Sequence, residues 1–108
     1  MRFRAKGRIK IPKRNELEAR YAQLLDLRLK AGEILWWMTQ GWRFRLGEGA
    51  YYKPDFTLMT ADGFLEAHET KGFWREAAKV RIRAAAEVHP VKFVAVQWKN
   101  NNWEFEEF

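Results

Sequence analysis

Residues 56–71 constrain this chain more than any other stretch. Phe56–Thr60 and Phe64–Lys71 are two strand-like runs separated by Ala61-Asp62-Gly63. A three-residue loop ending in glycine suits a type I turn closed by a left-handed residue. That loop pairs Thr60 with Phe64, and the register that follows sets Asp55 opposite Glu69. Directly paired residues share a face, with Cβ atoms roughly 4.5–5.5 Å apart. A two-residue loop would slip the register by one and separate them. Alternation along the second strand puts Leu65, Ala67, Glu69 and Lys71 on one side and Phe64, Glu66, His68 and Thr70 on the other. Two carboxylates and an ammonium are therefore expected to meet at the end of a face that begins apolar.

The surrounding pattern supplies the rest of a single layered domain. A helix is predicted from Asn15, a plausible N-cap, to about Lys30, with Leu17, Tyr21, Leu24 and Leu25 at helical spacing and Gly32 after its end. Ile34–Thr39 and Trp42–Leu46 read as strands interrupted near Gln40-Gly41, and Gly47-Glu48-Gly49 as a loop. Arg75–Val88 is a second predicted helix, stopped by His89-Pro90. Val91–Trp98 is an apolar run of buried-strand type, and Asn100-Asn101-Asn102 turns the chain into a short strand at Trp103-Glu104-Phe105. The expected class is α/β, with a mixed central sheet flanked by helices.

Charge is distributed unevenly. The net charge is +6, yet residues 1–14 carry seven bases (Arg2, Arg4, Lys6, Arg8, Lys10, Lys13 and Arg14) and no acid. The remaining residues hold 13 bases against 14 acids, so all of the positive excess belongs to the N-terminal segment. Two parts are expected, a basic arm over 1–14 and one domain over 15–108. The arm alternates bases at even positions with Phe3, Ala5, Ile9 and Ile11, which fits an extended segment with one apolar face. Such a segment attracts a polyanion by releasing counterions, and nucleic acid is the commonest polyanion; a solubilising tail or an anionic-membrane contact is the competing reading. The absence of cysteine excludes disulfides and thiolate metal sites, leaving oxygen or imidazole ligands. No run approaches a membrane span, and the N-terminus lacks the apolar stretch of a signal peptide.

Acids converging with a lysine are what metal-assisted phosphodiester hydrolysis needs. A divalent cation polarises the phosphate and lowers the pKa of the attacking water. Mg²⁺ takes oxygen ligands and keeps several waters, so two or three carboxylates suffice. A lysine can orient the water or offset charge developing on phosphorus. An isolated E-x-K triplet is more often a surface ion pair, and a lone Asp more often a strand cap. Pro54-Asp55 ahead of Glu69-Thr70-Lys71 across a hairpin, followed by Gly72 and a basic helix, is far more specific.

Tyr52-Lys53-Pro54-Asp55-Phe56 followed by Glu69-Thr70-Lys71-Gly72 resembles the PD-(D/E)XK nuclease superfamily. The likeness extends over about residues 16–98 and is nearest to small phage-encoded, junction-resolving endonucleases. It implies a restriction-endonuclease-like α-β-β-β-α-β core and Mg²⁺-dependent endonucleolytic cleavage of DNA. It also implies that Asp55 and Glu69 bind Mg²⁺ or Mn²⁺, with Lys71 assisting the water or the scissile phosphate. Many members add a carboxylate from the first helix. Glu18, with Tyr21, Ala22 and Leu25 at i+3, i+4 and i+7, borders the inward face and is preferred to Glu16, whose neighbours are Ala19, Arg20 and Gln23. A first-turn glutamate complementing the helix dipole is the alternative for Glu18.

Arg75, Lys79 and Arg83 recur at i, i+4 and i+8 as a basic stripe that could hold backbone phosphates, or simply be solvated. His68 is expected to pack or hydrogen-bond on the face away from Glu69. Trp36, Trp37, Trp42, Trp98 and Trp103 are expected in the core or a subunit contact, and Trp74 near substrate. The expected partners are duplex or branched DNA, a Holliday junction included, and a second copy of the chain, with no membrane and no small-molecule cofactor. The expected location is cytoplasmic, in a bacterial host if the protein is phage-encoded. The rival readings are a non-catalytic nucleic-acid-binding module on the same fold and a structural protein whose arm meets an acidic partner.

Overall fold

The computed structural model describes residues 14–108, with side chains from Asn15 onward; of the expected basic arm, residues 1–13 lie outside the described residues and Arg14 opens the first helix. Helix α1 (Arg14–Lys30) is followed by β1 (Ile34–Thr39), β2 (Phe44–Gly47), β3 (Ala50–Tyr52), β4 (Phe56–Thr60), β5 (Leu65–Lys71), α2 (Glu76–Val88), β6 (Lys92–Lys99) and β7 (Asn102–Glu107). The first helix starts one residue before the expected cap, Asn15. It closes where expected: Gly32 takes φ +81°, and Glu33 N–H reaches the Arg28 carbonyl at 2.9 Å, the back-bonded helix end that a left-handed residue permits.

Five strands form one mixed sheet in the order β1-β4-β5-β6-β7. β5 and β6 are parallel, joined across α2, and every other pair in the sheet is antiparallel. Counted through this sheet alone, the chain runs helix, three strands, helix, two strands. β2 and β3 leave it and pair with each other as a separate hairpin. The loop expected at 47–49 is the tip of that hairpin, and β3 is an element the sequence did not announce.

Alternate residues of β6 serve two cores. Val94 and Val96 pack with Phe56, Leu58 and Ile34 beneath Tyr21 and Leu25 of α1. Phe93 and Ala95 pack with Ala67 beneath Ile82 and Ala85 of α2, closed at the side by Phe44 and Tyr52 of the hairpin. Fully burying each large apolar side chain contributes roughly 1.5–3 kcal/mol, so both sheet faces are held by substantial packing. Among the described residues no helix is long and apolar enough to cross a membrane.

Candidate active site

The β4–β5 ladder pairs Phe56 with His68, Thr57 with Ala67, Leu58 with Glu66 and Met59 with Leu65. Thr60 N–H donates to the Phe64 carbonyl at 2.8 Å, closing the Ala61-Asp62-Gly63 loop with Gly63 at φ +91°. Continued one residue beyond Phe56, this register sets Asp55 across from Glu69. Asp55 follows Pro54 at a bend just before β4.

Both carboxylates are buried, Asp55 at 6% exposure and Glu69 at 9%. Asp55 Oδ2 accepts hydrogen bonds from Thr70 N–H at 2.9 Å and from Thr70 Oγ1 at 3.2 Å, so one oxygen ties the end of β4 to the end of β5. Glu69 Oε1 accepts the Tyr52 hydroxyl at 2.6 Å, and Lys71 Nζ stands 3.4 Å from Oε2. An ionised carboxylate has about four lone-pair sites, so these two contacts orient Glu69 without exhausting it. The Lys71 ammonium also lies 5.9 Å from the centre of the Trp74 ring. Glu69 and Lys71 are thus fixed from two sides, by the hairpin through Tyr52 and by the β5–α2 connection through Trp74.

Glu69 and Lys71 open into a cleft of about 510 Å³ between the hairpin, the end of β5 and the first turns of α2, lined also by Tyr52, Lys53 and Arg81, while Asp55 lines a second groove that shares Lys53 with it. The donor set is all oxygen plus ammonium, suited to a hard divalent cation and a phosphate rather than to a soft metal. Among the described residues no three acidic or histidine side chains converge on one point. Glu18 is half-buried on α1, one turn before the core residue Tyr21. Two residues along β4 from Asp55, the buried Thr57 Oγ1 has no hydrogen-bond partner among the described residues.

The remaining candidates divide. Arg2, Arg4, Lys6, Arg8, Lys10 and Lys13 lie outside the described residues, as does the side chain of Arg14. Lys79 Nζ is paired with Glu106 of β7 at 2.9 Å. Arg83 stands 3.6 Å from Glu76 and over the Phe108 ring. Arg75 precedes α2 and lies over the Phe73 ring. The α2 cation that lines the cleft is Arg81, which the stripe at 75, 79 and 83 passed over. Its signal was present: Ala77, Ala78 and Arg81 share one helical face of small residues and a base, the face that can approach a sheet end. Tyr52 was missed because a three-residue strand carries no readable period. Trp42, expected in the core or an interface, is exposed and lines a groove running to Asp55.

His68 belongs to a separate arrangement on the α1 face. Its Nδ1 is 2.6 Å from the Tyr21 hydroxyl and its Nε2 is 3.0 Å from Glu66 Oε1. Burial holds the imidazole below its ordinary pKa and pushes the Tyr21 phenol well above its own. The hydrogen bond from His68 holds the Glu66 carboxyl below its usual range. No protein family, curated protein or solved structure matches this chain.

Proposed function

We propose that this chain is a metal-dependent endonuclease of the PD-(D/E)XK type, with a restriction-endonuclease-like core, that hydrolyses phosphodiester bonds in duplex or branched DNA. The reading is carried by two buried carboxylates, Asp55 and Glu69, which the β4–β5 register continued by one residue sets across from each other, with Lys71 at 3.4 Å from Glu69. Buried carboxylates call for hydrogen bonds and positive charge nearby, and a divalent cation would add to what Thr70, Tyr52 and Lys71 supply. Asp55 and Glu69 would hold Mg²⁺ or Mn²⁺, which when bound would polarise the phosphate and acidify an attacking water. Lys71 stabilises negative charge building on the phosphoryl oxygens, Tyr52 keeps Glu69 in one rotamer, and Arg81 and Lys53 hold flanking phosphates. The basic arm grips substrate or a second subunit. Two cuts across a junction need two sites, which favours a homodimer acting in the cytoplasm.

The test is a cleavage assay on a four-way junction beside matched duplex and single strand, with and without Mg²⁺ or Mn²⁺. Asp55→Asn retains an oxygen able to accept from Thr70 N–H, and Lys71→Ala leaves Glu69 its bond from Tyr52. Each variant is expected to fold, to bind DNA, and to cut at least about 10²-fold more slowly. Wild-type protein that binds these DNAs but cuts none in either metal establishes the non-catalytic binding module instead.

A further inference from the structure

We infer that the groove beside Asp55 is a subsite for an unpaired nucleobase, with Trp42 as its stacking platform and Arg43 and Lys53 holding the phosphates on either side. The groove runs from the β1–β2 connection to the start of β4, between Gln40-Gly41-Trp42-Arg43 on one wall and Lys53-Pro54-Asp55 on the other. Trp42 is 41% exposed, although indole rings are on average highly buried. One face of the indole lies nearly parallel to Phe44, with centroids 6.2 Å apart and planes 15° apart. The exposed part of the ring borders the groove, where a base can stack against it. Tyr51 stands nearby on β3, with the Arg43 guanidinium 4.0 Å from its ring centre. Neither Arg43 nor Lys53 pairs with an acid among the described residues, so both cations are open to phosphate.

The backbone that carries the platform is unusual. Gln40 adopts φ +53°, a left-handed conformation uncommon outside glycine. At Gly41 a Cβ would meet only the flexible end of the exposed Met38 side chain, so the left-handed turn at Gln40 is the constraint on this loop. Trp42 follows this turn directly, lines the groove and belongs to neither core. Lys53 lines both this groove and the cleft that holds Glu69 and Lys71. A strand bound with its base on Trp42 would continue past Lys53 to the carboxylates. Base-on-aromatic stacking beside a cationic track recognises single-stranded or frayed segments and tolerates any base. In an intact duplex the bases are already stacked and cannot reach Trp42. The substrate class is thus nucleic acid with unpaired nucleotides next to the scissile bond, such as a tail, flap or branch.

The place of the scissile bond rests on the nuclease reading, but the binding site does not, and the experiment separates them. Affinity is measured by fluorescence anisotropy in excess chelator, which prevents cutting, for a blunt duplex, the same duplex with a short oligothymidine tail, and the same duplex with a tail of abasic residues. Wild-type protein is expected to bind the thymidine tail about tenfold or more tighter than the other two. Trp42→Ala is expected to lose that advantage while binding blunt duplex unchanged, and Trp42→Phe to keep most of it. The inference is overturned if the abasic tail binds as well as the thymidine tail, if no tail advantage exists, or if Trp42→Ala retains it. The abasic comparison uses only wild-type protein, so it decides even if Trp42→Ala misfolds. A tail advantage without cleavage of any DNA defeats the nuclease reading and leaves this subsite standing.

Discussion

His68 has two nitrogens and two partners, and the buried ring is held neutral. A neutral imidazole has one donor and one acceptor. The arrangement that satisfies every group has Nε2–H donating to Glu66 and Nδ1 accepting from the Tyr21 hydroxyl. Because burial lowers the folded pKa of His68 below 6.5, the unfolded chain takes up the proton first. Stability is therefore full above pH 6.5 and falls as pH drops from there toward the folded pKa. Glu66, lowered from 4.5 by its bond from His68, adds a second loss of the same sign as pH falls through its own folded value. The expected result is a urea midpoint that declines on acidification below pH 6.5 and declines further below 4.5. His68→Leu should cost about 1–3 kcal/mol at neutral pH by stranding the Tyr21 hydroxyl, and should flatten the upper part of that curve. An unchanged wild-type midpoint across the upper window would contradict the assignment.

At the scale of elements, the β4–β5 hairpin decides where the candidate site falls. Gly63 takes φ +91°, and a Cβ at this position would have no heavy atom within 4 Å, so a side chain there meets open space and suffers only from the backbone angle. Gly63→Ala is expected to lower stability by about 1–2 kcal/mol and to leave cleavage, assayed where both proteins are folded, unchanged. A drop in activity at full folding would mean the turn does more than set register. This hairpin was legible because its signals are local: a glycine-ended loop, period-two runs and a polar end. β3, Arg81 and the place of Trp42 beside a groove were not, each for its own reason. A three-residue strand has no period. Arg81 was overlooked although its face with Ala77 and Ala78 was present in the sequence, because the stripe at Arg75, Lys79 and Arg83 has the more regular spacing. Whether an indole enters a core or lines a groove depends on a loop geometry set by Gln40 and Gly41, and composition does not encode it. Helical spacing, by contrast, placed Leu17, Tyr21 and Leu25 on the inward face of α1, and all three are buried.

Across the whole molecule, charge is divided between two roles. Residues beyond position 14 hold 13 bases and 14 acids, and several of those charges pair internally, as Lys79 does with Glu106 and Lys92 with Glu107. Paired charges release few counterions when DNA binds, whereas seven bases within 14 residues without an acid release many. Long-range attraction should therefore come mainly from the arm, and chemistry from the near-neutral domain. Replacing Arg2, Arg4, Lys6, Arg8, Lys10 and Lys13 with glutamine should weaken duplex binding at low salt. It should also make log Kobs shallower in log salt by up to about 0.9 for each phosphate that the arm no longer neutralises. The arm carries no carboxylate of the proposed site, so cutting at saturating DNA and low salt should fall far less than affinity does. A variant whose salt slope matches wild type would assign the arm to a protein partner instead, where sedimentation would reveal it as a change in oligomeric state.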